Sequence, residues 1–291
     1  MSSKITRRGA VLGIAGGVAA LSVSLGRQAR GARPAGEPLK GNINHSVSRW
    51  CYGKIPLDDL CRFCQQLGVK SVELVGYKDW PTLQKYGLTC AMTSAGLGID
   101  KGFNRLEYHD QLVTDLEKLV PLAAEAGMPN IICMSGNRQG MDDEEGLKNC
   151  AIGLKRVVGL FEKHKVNLVM ELLNSKVDHA DYMCDRTSWG VALCKEVGSE
   201  RFKLLYDIYH MQIMEGDLIR TIRDNAEYIG HYHTGGNPGR NEIDDTQEIN
   251  YPAVMRAIVA TGYQGFVGQE FVPTAEDPLE SLEKCVRICD V

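Results

Sequence analysis

Four short apolar runs each end on a residue able to ligate a metal: VNLVMELLN carries Glu171, FKLLYDIYH Asp207, YIGHYHTGG His233 and GFVGQEFVP Glu270. Two glutamates, an aspartate and an imidazole form an oxygen-rich set that suits Mn²⁺, Mg²⁺ or Co²⁺ and leaves room for substrate oxygens. Structural zinc would favour cysteine with histidine. The intervals between the four are 36, 26 and 37 residues, each long enough for a strand, a helix and two loops. Were each run a strand of a parallel (β/α)8 barrel, the four side chains would converge above the barrel axis at its C-terminal rim. Taken singly, an acid at a strand end is as easily a helix cap or a surface residue. Four in register on consecutive strands are harder to explain that way.

The neighbours of these residues add polar groups. His210 follows Asp207 by three positions, where it could turn toward a substrate or serve packing. Asn174, three past Glu171, could donate to a substrate hydroxyl or cap the next segment. In HYHTGGNPGRNEID, glycines and a proline shape a loop that ends in Arg240 and Glu242. A guanidinium there could grip a carboxylate or a pair of hydroxyls, and Glu242 joins the candidate substrate-binding set.

Strand and helix patterns alternate along the chain to its end, as a barrel requires. Strands are expected at 42–48, 70–75, 88–94, 130–134, 167–172, 203–208, 229–233 and 265–270. Helices fall between them, among them PLDDLCRFCQQLG, HDQLVTDLEKLVPLAAEAG, EEGLKNCAIGLKRVVGLFEKHK, TSWGVALCKEVG, DLIRTIRDNA, YPAVMRAIVATG and DPLESLEKCVRICD. The competing doubly wound sheet would place GxGxxG or GxxxxGK after the first strand, and neither is there.

At 291 residues, with 44% hydrophobic and 24% charged, the chain can build one large core. Residues 1–31 differ from the rest. Lys4, Arg7 and Arg8 precede the uncharged GAVLGIAGGVAALSVSLG, and no acid comes before Glu37, so this segment has the form of an export signal. The paired arginines of ITRRGAVLG resemble a twin-arginine signal, which predicts export to the periplasm, with 32–40 as linker and 41–291 as the barrel domain. An uncleaved membrane anchor is the alternative, since the stretch approaches spanning length; the small-residue exit QARGARPAG favours cleavage and no stable insertion afterwards. Loss of 1–31 removes Lys4, Arg7, Arg8, Arg27 and Arg30 and moves the net charge from −4 to −9. That acidic balance argues against a nucleic-acid partner. Of the ten cysteines, Cys61 and Cys64 share one face of a helix and no second CxxC exists, so buried thiols are expected rather than zinc or a disulfide framework.

ELLN, DIYHMQIMEGDL, the PGR loop followed by EINYP, and GFVGQE resemble the hydroxypyruvate isomerase family of xylose-isomerase-like TIM barrels, with sugar 3-epimerases as wider relatives. The likeness covers most of 41–291 and is strongest from Glu171 onward. It implies an α/β (β/α)8 barrel, a metal held by Glu171, Asp207, His233 and Glu270, an acid/base pair in Glu171 and Glu270, and substrate contacts at His210 and Arg240. Three features depart from it, one being the leader, since hydroxypyruvate isomerases are cytoplasmic. Hydroxypyruvate isomerases typically carry glutamine at the third metal position, where the epimerases carry histidine. The segment SKVDHADYMCDRTSWG also lacks the proline- and glycine-bearing stretch expected after ELLN. Members of that family often pair through barrel helices, which allows a homo-oligomer.

The expected chemistry is proton transfer at a carbon next to a carbonyl in a small sugar or keto acid, assisted by a divalent cation. Returning the proton to the neighbouring carbon isomerises; returning it to the opposite face epimerises; a 3-keto sugar would eliminate from the same enolate. Apurinic-site endonucleases share the barrel but need a multi-zinc histidine cluster and a basic groove, against seven histidines and a charge of −9 here. A sugar-binding barrel without catalysis is the remaining alternative.

Overall fold

Apolar runs of four to six residues, too short for stable helices and buried on both faces, pair side by side as parallel strands. The computed structural model describes residues 37–94, 96 and 98–291; the expected leader lies outside the described residues. The strands are β1 (Asn44–Ser48), β2 (Ser71–Glu73), β3 (Thr93–Ser94), β4 (Asn130–Cys133), β5 (Asn167–Glu171), β6 (Phe202–Asp207), β7 (Ile229–Thr234) and β8 (Phe266–Gln269). Their order is β2-β1-β8-β7-β6-β5-β4-β3, and every pairing is parallel. Between β2 and β3 the seam is joined by the chain just before β3: Ser71 bridges Thr89, Val72 N donates to Thr89 O (3.2 Å) and Leu74 N to Met92 O (2.7 Å). The eight strands thus form the expected (β/α)8 barrel.

Strand periodicity sorts the side chains into two layers. Leu168, Met170, Leu204 and Tyr206 belong to the large core between strands and helices. Their alternates, Val169 and Leu205, join Met92 and Ile132 in a small apolar cluster of their own. The period of two then carries Glu171 and Asp207, two residues further along β5 and β6, onto the same inward face at the C-terminal end. Across the barrel the inner residues are polar: Ser46, Ser71, Glu73, His231 and His233 are all buried, and Ser46 Oγ donates to Ser71 Oγ at 2.9 Å.

The outer helices are α1 (Leu57–Leu67), α2 (Trp80–Lys85), α3 (His109–Glu125), α4 (Asp143–Lys155), α5 (Val158–His164), α6 (Thr187–Val197), α7 (Ile208–Met214), α8 (Leu218–Asp224), α9 (Tyr251–Ala260) and α10 (Pro278–Cys289). Side-chain caps start several of them: Asp142 for α4, Asn250 for α9 and Asp277 for α10. The segment read as one helix over EEGLKNCAIGLKRVVGLFEKHK is divided into α4 and α5. α7 has no counterpart in the sequence reading; it begins directly at the end of β6, where the Asp207 carboxylate accepts from His210 N (3.1 Å). All ten cysteines are free and nine are buried, Cys61 and Cys64 among them, as expected of small core residues. No described helix is long and apolar enough to cross a membrane.

α6 lies close against the strands because Gly190 has no side chain. A Cβ there would sit 2.9 Å from Leu204 Cδ2 and 3.3 Å from Leu172 Cδ2, inside ordinary contact distance. Gly190→Val is therefore expected to destabilise the barrel by about 1–3 kcal/mol through overpacking, read as a lower urea midpoint at unchanged m-value. A midpoint equal to wild type would show that α6 does not pack this closely.

Candidate metal centre at the barrel mouth

Three of the strand ends and the residue after β8 deliver the four candidate ligands to one point. Glu171 closes β5, Asp207 closes β6, His233 is the penultimate residue of β7, and Glu270 directly follows β8. β6 and β7 are in register with Asp207 opposite His233. One ligand atom from each residue lies within 4.8 Å of all the others, and all four side chains are buried. His233 Nδ1 is 2.6 Å from Glu270 Oε2, 3.5 Å from Glu171 Oε1 and 4.0 Å from Asp207 Oδ2. Despite these approaches, Nδ1 makes no hydrogen bond of normal geometry. A buried nitrogen without a partner, facing three carboxylates, fits a divalent cation, because cation coordination would satisfy all four groups together.

Positive charge reaches the cluster from one side. Arg240 Nη2 donates to Asp207 Oδ2 (2.8 Å) and Glu270 Oε2 (2.5 Å), Nε donates to the Glu270 carbonyl (3.2 Å), and Nη1 lies 2.7 Å from His210 Nε2. Trp50 Nε1, from the turn after β1, donates to Glu270 Oε1 at 2.6 Å. These contacts split the acids electrostatically. Burial, opposed by His233 and reinforced by the charges of Glu270 and Asp207, pushes the Glu171 carboxyl up to about 7. Burial also raises Asp207, against the pull of Arg240. For Glu270, burial is outweighed by His233 and Arg240, which hold it well below the usual carboxylate range. His233 is disfavoured as a cation by burial, yet Glu270 and Glu73 raise it well above the ordinary imidazole value. Two glutamates at one site with ionisation pushed apart are the arrangement in which one holds a proton while the other takes one.

The remaining candidates divide. His210 is in the site: it is fully buried, contacts Arg240, and its Nδ1 lies 2.6 Å from Asn174 Nδ2. Burial first, then Arg240, hold its imidazole well below the ordinary value, so it stays neutral. Asn174 settles into the capping role, because its Oδ1 accepts from Val177 N (3.0 Å) and Asp178 N (2.9 Å) and its amide also meets Asp178 Oδ2 (2.6 Å). Arg240 is in the site, but its guanidinium spans the cluster's own carboxylates.

Glu242 requires correction as a substrate group. Its carboxylate accepts from Thr274 N and Oγ1 (2.8 Å each), Ala275 N (3.2 Å) and Ser281 Oγ (2.8 Å), which ties down the segment leading into α10. The direction of a loop side chain could not be read from its place beside Arg240.

Glu73, at the end of β2, was missed. It is fully buried, and its Oε1 lies 2.6 Å from His233 Nε2 and 3.2 Å from His231 Nε2. The run SVELVG carried the same signal as the other four, an acid closing a short apolar strand. Trp50 as a donor to Glu270 had no sequence signal.

The family description "Xylose isomerase-like TIM barrel" matches residues 61–287. The chain belongs to this family. Among curated proteins, this family member is 33% identical over 152 residues to the hydroxypyruvate isomerase of Escherichia coli (strain K12), covering 52% of this chain and 58% of that one. It is 37% identical over 110 residues to the 2-oxo-tetronate isomerase of Cupriavidus necator, covering 38% of this chain and 42% of that one. The barrel thus spans roughly half the length of each of these two relatives. Among solved structures it superposes on an AP endonuclease, family 2, from Brucella melitensis with TM-score 0.75, 22% identity, and 82% and 97% of the two chains covered. It also superposes on the E. coli 3-keto-D-glucoside 4-epimerase with TM-score 0.71, 18% identity, and 84% and 97% covered. At these identities the two structures establish the fold alone.

With four hydrogen bonds on one buried carboxylate, Glu242→Ala is expected to cost about 2–3 kcal/mol. Thermal melting should show the loss, while the affinity for Mn²⁺ stays within about twofold of wild type. A large fall in that affinity with no change in stability would return Glu242 to the site.

Proposed function

We propose that this family member is a divalent-cation-dependent isomerase of a small keto acid or sugar, with Glu171 and Glu270 moving the proton. The observation that carries the reading is the pair itself: two buried glutamates that both face His233 Nδ1, one pushed up to about 7 and the other held well below the usual carboxylate range. Glu171, Asp207, His233 and Glu270 would hold the cation. Mn²⁺, Mg²⁺ or Co²⁺ suits these donors, and when bound it supplies Lewis-acid polarisation of the substrate carbonyl, which acidifies the neighbouring C–H. One glutamate takes that proton as the C–H electron pair moves toward the carbonyl oxygen. The enediolate so formed is protonated on the adjacent carbon by the other glutamate, and the hydroxyl proton passes to the first, negatively charged oxygen, so aldehyde and ketone exchange places with no atom gained or lost. His210 meets Asn174 with Nδ1 and Arg240 with Nε2, so a substrate oxygen would reach its ring only by taking the place of one of these contacts. The named activities of the two curated relatives, on hydroxypyruvate and on 2-oxo-tetronate, support a small oxo acid as the substrate class.

Epimerisation is the second reading. If both glutamates face the same carbon from opposite sides, the proton returns to that carbon with inverted configuration. His233 in place of the glutamine typical of hydroxypyruvate isomerases favours it. A sugar-binding barrel is the non-enzymatic alternative, and exchange chemistry separates it from both. Export by the twin-arginine route and a periplasmic location are part of the proposal on the strength of Arg7, Arg8 and the uncharged stretch that follows. The acidic charge and the small, buried centre support a small-molecule partner rather than nucleic acid.

Wild-type protein with Mn²⁺ is expected to incorporate solvent deuterium into small oxo acids, ketoses or 3-keto sugars, read by mass spectrometry, and to stop when chelator is added. Glu171→Gln and Glu270→Gln should each slow that exchange by about 10²–10⁴-fold with an unchanged circular dichroism spectrum. Near wild-type exchange in either variant would remove the two-glutamate assignment, and binding without exchange would favour the sugar-binding reading.

Cation binding should also depend on pH in a defined sense. Glu171 is pushed up to about 7 and His233 is raised, so below that pH a cation must displace protons from its own ligands. Calorimetric titration with Mn²⁺ is expected to show affinity rising as pH increases through about 7, with protons released to the buffer. Affinity independent of pH between 6 and 8 would contradict this linkage.

A further inference from the structure

Beneath the carboxylate cluster, inside the barrel, lies a second buried group, Glu73, His231 and His233, of which the proposed reaction uses only His233. Glu73 has no exposed surface and, among the described residues, no lysine or arginine paired with it; its carboxylate faces two imidazoles. A carboxylate in such a place is costly unless hydrogen bonds hold it. His233 connects the two groups, with one ring nitrogen in each. Nε2 is 2.6 Å from Glu73 Oε1, while Nδ1, on the other side of the ring, faces Glu171, Asp207 and Glu270.

We propose that Glu73 is the positioning residue for the metal centre: by accepting the Nε2–H of His233 it fixes the ring so that Nδ1 is presented to the cation. His231 steadies Glu73 in turn, with Nε2 at 3.2 Å from both carboxylate oxygens. Ser48 Oγ approaches Oε1 at 3.5 Å from the neighbouring strand. Gly268 supplies independent support, since a Cβ at that position would lie 2.4 Å from Glu73 Oε1 and 2.8 Å from His233 Cδ2. The backbone of β8 thus leaves room for this pair and for nothing larger. A second carboxylate on the far nitrogen sets the tautomer of a histidine ligand and strengthens it as a donor, an effect typically worth 10–100-fold in metal affinity.

This inference rests on the cation reading of the cluster, and two readouts on full-length protein separate them. In the metal-free wild type labelled with ¹⁵N-histidine, His233 is expected to give an Nε2–H resonance protected from solvent exchange. With ¹¹³Cd²⁺ bound, coupling should appear at Nδ1 and the Nε2 proton should remain. Glu73→Leu should lose the protected proton and weaken Mn²⁺ binding by about 10–100-fold, measured by calorimetry. Glu73→Gln, which keeps an acceptor oxygen, should keep the proton and recover most of the affinity; Gly268→Ala, which crowds Glu73 and His233 while leaving both side chains in place, should weaken both readouts. Cadmium coupling at Nε2, or no protected proton in the wild type, would overturn the proposal even if the leucine variant failed to fold. So would a folded Glu73→Leu protein with wild-type Mn²⁺ affinity. A wild type that keeps the protected proton but binds neither Mn²⁺ nor Cd²⁺ would overturn the cation reading while leaving Glu73 as the residue that orients His233.

Discussion

Three carboxylates and an imidazole held within 4.8 Å of one another, out of water, set the condition that the surrounding structure must meet. Two like charges about 4 Å apart repel by roughly 4 kcal/mol at an effective dielectric of about 20, and several such pairs converge here. The protein answers with counter-charge rather than with distance. His233 sits among the acids, Arg240 spans Asp207 and Glu270, and the Trp50 N–H reaches the other oxygen of Glu270. What compensation remains incomplete falls on Glu171, which accepts no hydrogen bond from Arg240 or Trp50 and whose carboxyl is pushed up to about 7. The same asymmetry that relieves repulsion therefore differentiates two chemically identical side chains.

Holding Arg240 in that position falls to the loop after β7. Its backbone at Arg240 is left-handed (φ 56°), a conformation that non-glycine residues seldom adopt and that neighbouring contacts must hold. Arg240 N donates to Gly236 O (2.7 Å), Val272 N donates to Arg240 O (2.7 Å), and Tyr251 clasps Gly235 through both its N–H and its carbonyl. Glu242, two residues on, anchors the loop to the chain leading into α10. On the opposite side Asp207 has two tasks, contributing to the cluster and capping α7, which turns His210 back to Arg240. A rigid barrel with ligands at its strand ends and adjustable loops above them is the usual way this fold supports chemistry.

The fold leaves the reaction open, since barrels of this shape serve unrelated activities, and the two solved structures named above differ in exactly that respect. What narrows the chemistry is the site: two glutamates of different proton affinity next to a position suited to a hard cation. Enolising a carbonyl compound uses such a site directly.

Much of the fold and the core of the site was legible in the residues because both depend on periodicity. Alternation of period two, strand-length apolar runs and intervals of 36, 26 and 37 residues place Glu171, Asp207, His233 and Glu270 at equivalent strand ends, and barrel closure brings equivalent ends together. Glu73 satisfied the same local pattern on β2, yet its partner His233 is 160 residues away and becomes a neighbour only across the closed barrel. Loop residues were less legible still: Arg240 and Glu242 are two apart in sequence, but one turns into the cluster and the other braces the approach to α10. Strand geometry dictates side-chain direction locally, so the sequence alone determined the barrel and the convergence of these four side chains. Loop direction, hydrogen-bond partners and the displacement of each proton affinity depend on atoms brought close from distant parts of the chain, and only the tertiary structure decided those.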